Sequence, residues 1–238
     1  MNQLTPEALA LGALTYVVFL LSTTFHEASH ALVAKLGGDP TAFRGGQVTL
    51  NPIPHIRREP FGMVVVPLLG ILAGGGIIGW ASAPYDPMWQ LRHPRRAAAM
   101  ALAGPAANFT LMLTAAAIMR IGLWERWFRP AERLGSSRLV ESAASGNWEG
   151  IATFVSILFS LNLLLGIFNL FPLPPLDGFS AAGLLMPEAL AARWVRLGYS
   201  LGAWSFLGLL LVWRVFRYVY TPALVMALQL VYPSSWFR

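Results

Sequence analysis

The chemistry of this 238-residue chain is concentrated in His26-Glu27-Ala28-Ser29-His30, two imidazoles and a carboxylate set in otherwise apolar sequence. On an α-helix, residues four apart share a face one turn up, so His26 and His30 can offer ring nitrogens to a single metal ion. Glu27 stands beside them, placed to take a proton from a metal-activated water. The chain has no cysteine, which excludes disulfides and thiolate ligation and leaves histidine and carboxylate as the donors for any metal.

A third donor emerges from sorting the acids. Of the 11 Asp and Glu residues, all but Glu27 and Asp177 fall at the N-terminus or in polar connections. An ionisable group at membrane depth costs several kcal/mol unless paired or hydrated, so both are functional candidates. Asp177 follows Asn169-Leu170-Phe171-Pro172-Leu173-Pro174-Pro175-Leu176 and precedes Gly178. Three prolines within four residues end any helix there. A break at that depth is tolerated where protein covers it or water reaches it, and it displays Asp177 toward another helix. Two imidazoles and one carboxylate, with a position left for water, make the donor set of a catalytic zinc site. The plainer alternative is that Asp177 only caps the helix after it, which accounts less well for a carboxylate at that depth.

The elements that must position these groups are membrane spans. Hydrophobic residues make up 56% of the chain and charged ones only 12%, against roughly 25% charged in an ordinary soluble domain. Apolar runs of bilayer-crossing length cover residues 11–36, 61–80, 97–121, 150–171 and 197–213, with a sixth at 215–232 that either spans or lies at the surface. The expectation is an all-α polytopic membrane protein of five to six transmembrane helices, one membrane-embedded domain over residues 1–238 and no separate soluble domain. The first run lacks a preceding basic region, so it reads as a retained span and not a signal peptide. The segment 133–149, polar and rich in Ser, Glu and Gly, reads as an exposed loop.

The net charge of +6 is carried by arginines in the connections, with no basic stretch interleaved with aromatics, which argues against a nucleic-acid partner. Counting Lys and Arg by loop favours an outside N-terminus, with the first and third loops cytoplasmic. That orientation puts His26–His30 in the cytoplasmic half of the bilayer, roughly 10 Å below the surface at 1.5 Å per residue. Gln47-Val48-Thr49-Leu50 alternates polar and apolar residues between Gly-Gly and Asn-Pro, the pattern of a short strand or hairpin loop after the first span. His55 lies in the same loop, as a plain loop residue or at the entrance to the site. Asn108, in an alanine-rich span, either makes an interhelical hydrogen bond or holds a substrate carbonyl near the metal.

Four stretches together resemble the site-2 protease family, the zinc intramembrane metalloproteases, and in particular its small bacterial and archaeal members without PDZ or CBS domains. They are Phe25-His26-Glu27-Ala28-Ser29-His30, Gly45-Gly46-Gln47-Val48-Thr49-Leu50-Asn51-Pro52 with His55 after it, Ala103-Gly104-Pro105-Ala106-Ala107-Asn108, and Asn169 through Asp177-Gly178. The resemblance implies that His26, His30 and Asp177 hold one zinc ion and that Glu27 activates the water. It implies a transmembrane helix of another membrane protein as substrate, with the edge of Gln47–Leu50 pairing with it, and the cell membrane as location. Two positions depart from the pattern: Phe179 stands where many members have a second glycine, and Arg57 where an acidic residue commonly follows the loop histidine. Two other functions remain open, a catalytically inactive relative that binds membrane proteins and a metal-ion transporter. A transporter would carry more ionisable groups along a path and paired broken helices in two halves, and neither is evident.

Overall fold

The structure is a computed structural model, and it describes residues 5–74, 76–144 and 148–232. Helix α1 (Pro6–Leu36) starts where Thr5 accepts a hydrogen bond from the Ala8 N–H and Pro6 takes the first helical position. Its buried residues Val18, Ser22, His26, His30 and Ala34 recur every four positions, so one stripe of the helix faces the protein. Short helices α2 (Thr41–Arg44) and α3 (Pro52–Arg58) fold the following loop. A π-helical turn, Phe61–Val65, then runs into α4 (Val66–Leu72).

This last stretch does not form the span expected at residues 61–80. Its 12 helical residues reach about 18 Å at 1.5 Å each, short of the roughly 30 Å hydrocarbon core. Gly74 and Gly76 take positive φ values of 68° and 84°, turning the chain at a point where side chains would resist it. The chain then runs back along the helix, and the Trp80 N–H donates to the Gly62 carbonyl at 3.1 Å. Both ends of the segment therefore lie on the same side.

After α5 (Pro87–Arg92), helix α6 (Pro94–Trp124) returns antiparallel beside α1. A two-stranded antiparallel hairpin follows, β1 (Phe128–Gly135) paired with β2 (Arg138–Ser142). The hairpin thus comes after α6 and not after the first span, and it occupies much of the segment expected to be an exposed loop. Two contacts explain its order: Arg129 pairs across the strands with Glu141 at 2.8 Å, and the N–H groups of the buried Leu139 and Val140 donate to the Ser156 hydroxyl at 3.0 and 3.3 Å. Ser156 belongs to α7 (Trp148–Asn169), the third long helix of the bundle.

The chain then breaks at the proline-rich segment, enters α8 (Asp177–Ala181), and passes through α9 (Glu188–Leu201) and a 3-10 turn at Gly202–Ser205 into α10 (Phe206–Val231). The break falls at Gly202, so the runs expected at 197–213 and 215–232 are not two spans separated near residue 214. Among the described residues, four helical stretches are long and apolar enough to cross a membrane: Pro6–Leu36, Pro94–Trp124, Trp148–Asn169 and Glu188–Val231. The main apolar core joins α6, α7, the hairpin and the end of α10 through Met112, Met119, Phe128, Val140, Phe159 and Val231. It packs one end of the bundle and leaves the other to the polar cluster.

Candidate metal centre

The two histidines face α6 because they belong to the buried stripe of α1. Antiparallel packing sets Met100 opposite His30 and Asn108 opposite His26. The His30 Nδ1–H donates to the Met100 carbonyl at 2.7 Å, and His26 Nδ1 meets Asn108 Oδ1 at 2.6 Å. A carbonyl oxygen only accepts, so both rings carry their proton on Nδ1 and, when neutral, present a bare lone pair at Nε2.

Those lone pairs converge. His26 Nε2 and His30 Nε2 are 3.0 Å apart, and Asp177 Oδ2 lies 3.0 Å from the first and 3.3 Å from the second. Three acceptors at this spacing repel one another unless a cation sits among them. Tetrahedral zinc with ligands at about 2.0–2.1 Å separates its donor atoms by about 3.3 Å, so this set fits zinc in both chemistry and spacing. Among the described residues no other group of His, Asp and Glu gathers in this way.

Room for the cluster comes from Gly104. A Cβ at that position would overlap the Nε2 atoms of both histidines, which cannot swing aside while their Nδ1 atoms are bonded to α6. Asp177 reaches the histidines because Gly178 lets the start of α8 pack on the Leu170 and Phe171 carbonyls, where a Cβ would collide. Phe179 is absorbed without disturbing this turn. Its ring stacks on Trp194 with centroids 4.6 Å apart, the Trp194 indole N–H donates to the Phe179 carbonyl at 2.7 Å, and Gly198 leaves space for the ring. Arg57 is exposed on α3.

Glu27 is buried beside His30, close enough to interact with it electrostatically. Among the described residues no hydrogen bond or ion pair engages its carboxylate, so it is held at depth without a protein donor and is available to a water.

The remaining sequence candidates are not part of the three-donor cluster. Asn108 is wholly buried, with Oδ1 toward His26 and Nδ2 donating to Asn162 Oδ1 at 2.8 Å, so its side chain makes the interhelical contact and does not line a substrate space. Gln47–Leu50 is not a strand. The Gln47 N–H bonds the Ala42 carbonyl, the Asn51 N–H bonds Thr49 Oγ1 and the Thr49 carbonyl accepts from His55, so local bonds hold the segment in a bend. Val48 is part of the same bent segment, and Leu50 is exposed. His55 is buried on α3, its Nε2–H donating to the Thr49 carbonyl at 3.1 Å, and does not stand at an open entrance. Sequence reasoning missed Met100, Ser22 and Asn162, although an asparagine in the middle of the apolar run 150–171 was a legible signal.

The sequence model of peptidase family M50 matches residues 14–209, most of the chain. The chain belongs to this family, the site-2 proteases. As an M50 member it is 33% identical over 186 residues to "Putative zinc metalloprotease YwhC" of Bacillus subtilis (strain 168), a match covering 78% of this chain and 74% of that protein. It is 32% identical over 163 residues to "Putative zinc metalloprotease Rip2" of Mycolicibacterium smegmatis, covering 68% of this chain and 53% of the relative. The protein of the same name in Mycobacterium tuberculosis (strain ATCC 25618 / H37Rv) is 30% identical over 164 residues, with the same coverage. The M50 chain thus spans about half the length of its mycobacterial relatives. No solved structure matches it significantly.

Proposed function

We propose that this M50 protein is an intramembrane zinc protease that cuts transmembrane segments of other membrane proteins. The observation that carries the reading is the convergence of His26 Nε2, His30 Nε2 and Asp177 Oδ2, 3.0–3.3 Å from one another, with both histidines on a helix long enough to cross a bilayer. His26, His30 and Asp177 would hold one zinc ion per chain. Zinc bound there supplies Lewis-acid polarisation of a carbonyl and lowers the pKa of water toward about 7.

The chain's own residues do the rest. Glu27 takes the proton of the attacking water and passes it to the leaving amine nitrogen. The Met100 carbonyl and Asn108 keep the two imidazoles in their ligating tautomer. A cleft of about 190 Å³, lined by Tyr85, Gln90, Leu176, Phe179, Ser180 and Tyr199, borders the turn that carries Asp177.

The cell membrane is the site of action, with the metal centre in the cytoplasmic half. Because the segment 61–80 turns back, Lys35, Arg44, Arg57, Arg58, Arg92, Arg95 and Arg96 all lie on the side where α1 ends and α6 begins. Arg126, Arg129, Arg133 and Arg138 lie on the other, and the larger cationic set favours the cytoplasm. This keeps the metal centre on the side expected from the sequence but moves the loop after α6 to the outside.

The test is purification in detergent, measurement of bound zinc, and cleavage of a panel of model transmembrane substrates by wild type, Glu27→Gln and Asp177→Asn. The expected result is near-stoichiometric zinc in wild type and in Glu27→Gln, cleavage only by wild type, and zinc lost from Asp177→Asn. A wild type that holds no zinc and cuts nothing, under conditions where another family member is active, rejects the reading.

A further inference from the structure

Asn162, wholly buried on α7, makes no hydrogen bond to the three candidate ligands among the described residues, yet a chain of hydrogen bonds connects it to one of them. Its Nδ2 donates to the Leu158 carbonyl and to Ser22 Oγ, both at 2.8 Å. The Ser22 hydroxyl spends its own proton on the Val18 carbonyl at 2.7 Å, so toward Asn162 it accepts. The Leu158 carbonyl accepts under any circumstances. The Asn162 amide therefore has one permitted orientation, with Oδ1 turned toward α6.

That orientation propagates. Oδ1 of Asn162 accepts from Nδ2 of Asn108, which turns Oδ1 of Asn108 toward His26. An acceptor at this place requires the His26 proton on Nδ1 and leaves the lone pair at Nε2, facing His30 and Asp177. Had Asn108 flipped, its N–H would meet His26 Nδ1, the ring proton would move to Nε2, and an N–H would point into the cluster instead of a lone pair. The flip is opposed because it would also bring two carbonyl oxygens, those of Asn108 and Asn162, against each other.

We propose that Asn162 is a positioning residue for the metal centre, acting through Asn108 to fix the ligating tautomer of His26. The inference rests on the zinc reading above. It assigns a function to a residue three helices contribute to holding: Ser22 on α1, Asn108 on α6 and Asn162 itself on α7. His30 needs no such device, since a backbone carbonyl cannot flip.

The test uses the full chain in detergent and titrates zinc against a chromophoric chelator for wild type, Asn162→Leu, Asn108→Leu, the double variant and Asn162→Asp. Asn162→Leu is expected to weaken zinc binding about tenfold, the low end of the range for residues that orient ligands. The double variant is expected to bind no more weakly than Asn108→Leu alone, because Asn162 acts only through Asn108. Asn162→Asp, protonated at this depth, can donate its O–H to the Leu158 carbonyl and accept from Asn108, so it is expected to stay within about threefold of wild type. Nitrogen-15 spectra of histidine-labelled, metal-free protein, at a pH where the rings are neutral, are expected to show His26 protonated on Nδ1 in wild type and mixed tautomers in Asn162→Leu.

A folded Asn162→Leu with wild-type affinity, losses that add in the double variant, or a folded Asn162→Asp that binds as weakly as Asn162→Leu would overturn the proposal. If Asn162→Leu does not fold, Asn162→Asp and the wild-type spectrum still decide it, and His26 found protonated on Nε2 refutes it. A wild type without zinc affinity counts against the protease reading, whereas the tautomer in the metal-free spectrum continues to judge the role of Asn162.

Discussion

The bundle of α1, α6 and α7 and the loop that follows α1 both bury histidine, and they use it in opposite ways. His26 and His30 give up Nδ1–H to acceptors on a neighbouring helix and aim bare Nε2 atoms at each other and at a carboxylate. His55 instead donates Nε2–H to the Thr49 carbonyl of its own loop, and its buried Nδ1 has no hydrogen-bond partner among the described residues. The first arrangement gathers acceptors around a space for a cation; the second pins a loop. Burial alone does not distinguish a ligand from a structural histidine. What does is the position of the ring proton and what the other nitrogen faces.

The comparison breaks most severely if the space between the lone pairs is filled. Gly104→Ala places a methyl group against both Nε2 atoms, and bonds to Met100 and Asn108 prevent the rings from withdrawing. Zinc affinity is expected to fall by about a hundredfold, the upper end of the effects seen around metal ligands, while the helical content of the purified protein stays unchanged. Chelator competition on the variant measures the first and circular dichroism the second. Retained affinity would mean that the rings move more freely than their hydrogen bonds imply.

The same contrast explains which parts of the molecule were legible in the sequence. On α1 the four-residue repeat of buried positions sets which face packs and also puts His26 and His30 on it, so their pairing is legible from spacing in an apolar run. Asp177 stood out because a carboxylate beside three prolines at membrane depth has few other uses. Periodicity misled where glycine decides the path. Residues 61–80 have the composition of a span, but Gly74 and Gly76 reverse the chain, and Gly202 rather than Arg214 interrupts the last apolar stretch. Alternation of polar and apolar residues at Gln47–Leu50 resembled a strand, yet a strand needs a partner, and this segment bonds its own loop. The roles of Asn108 and Asn162 depend on which amide atom faces which neighbour, information that exists only once three helices are packed.

His55 offers the converse test. His55→Leu keeps the volume but removes the bond to the half-buried Thr49 carbonyl, a loss of about 1 kcal/mol that removal of the unpartnered Nδ1 offsets only in part. The thermal midpoint in detergent is expected to fall by several degrees, whereas zinc affinity is expected to stay within about threefold of wild type. A large loss of zinc in this variant would show that the loop and the bundle are coupled and that the two histidine environments are not independent.

The smallest effect expected lies in the same loop, at Asp39. Burial alone would raise the pKa of its carboxyl, but hydrogen bonds from the Thr41 hydroxyl and from the N–H groups of Asp86 and Thr41, with Arg44 nearby, hold it below the ordinary carboxylate value. A carboxyl with a lowered folded-state pKa contributes stability that is complete above its unfolded value of about 3.9 and is lost as pH falls through the lower folded one. Thermal midpoints of wild type are therefore expected to decline below about pH 4 more steeply than those of Asp39→Asn, which cannot titrate there. Hydrogen exchange at the Thr41 and Asp86 amides locates the change: both are expected to be protected in wild type at neutral pH, and the Asp86 amide to lose protection in Asp39→Asn, where an NH₂ group can replace the Oδ2 acceptor. Equal acid sensitivity in the two proteins would transfer that part of the stability from the loop to the bundle.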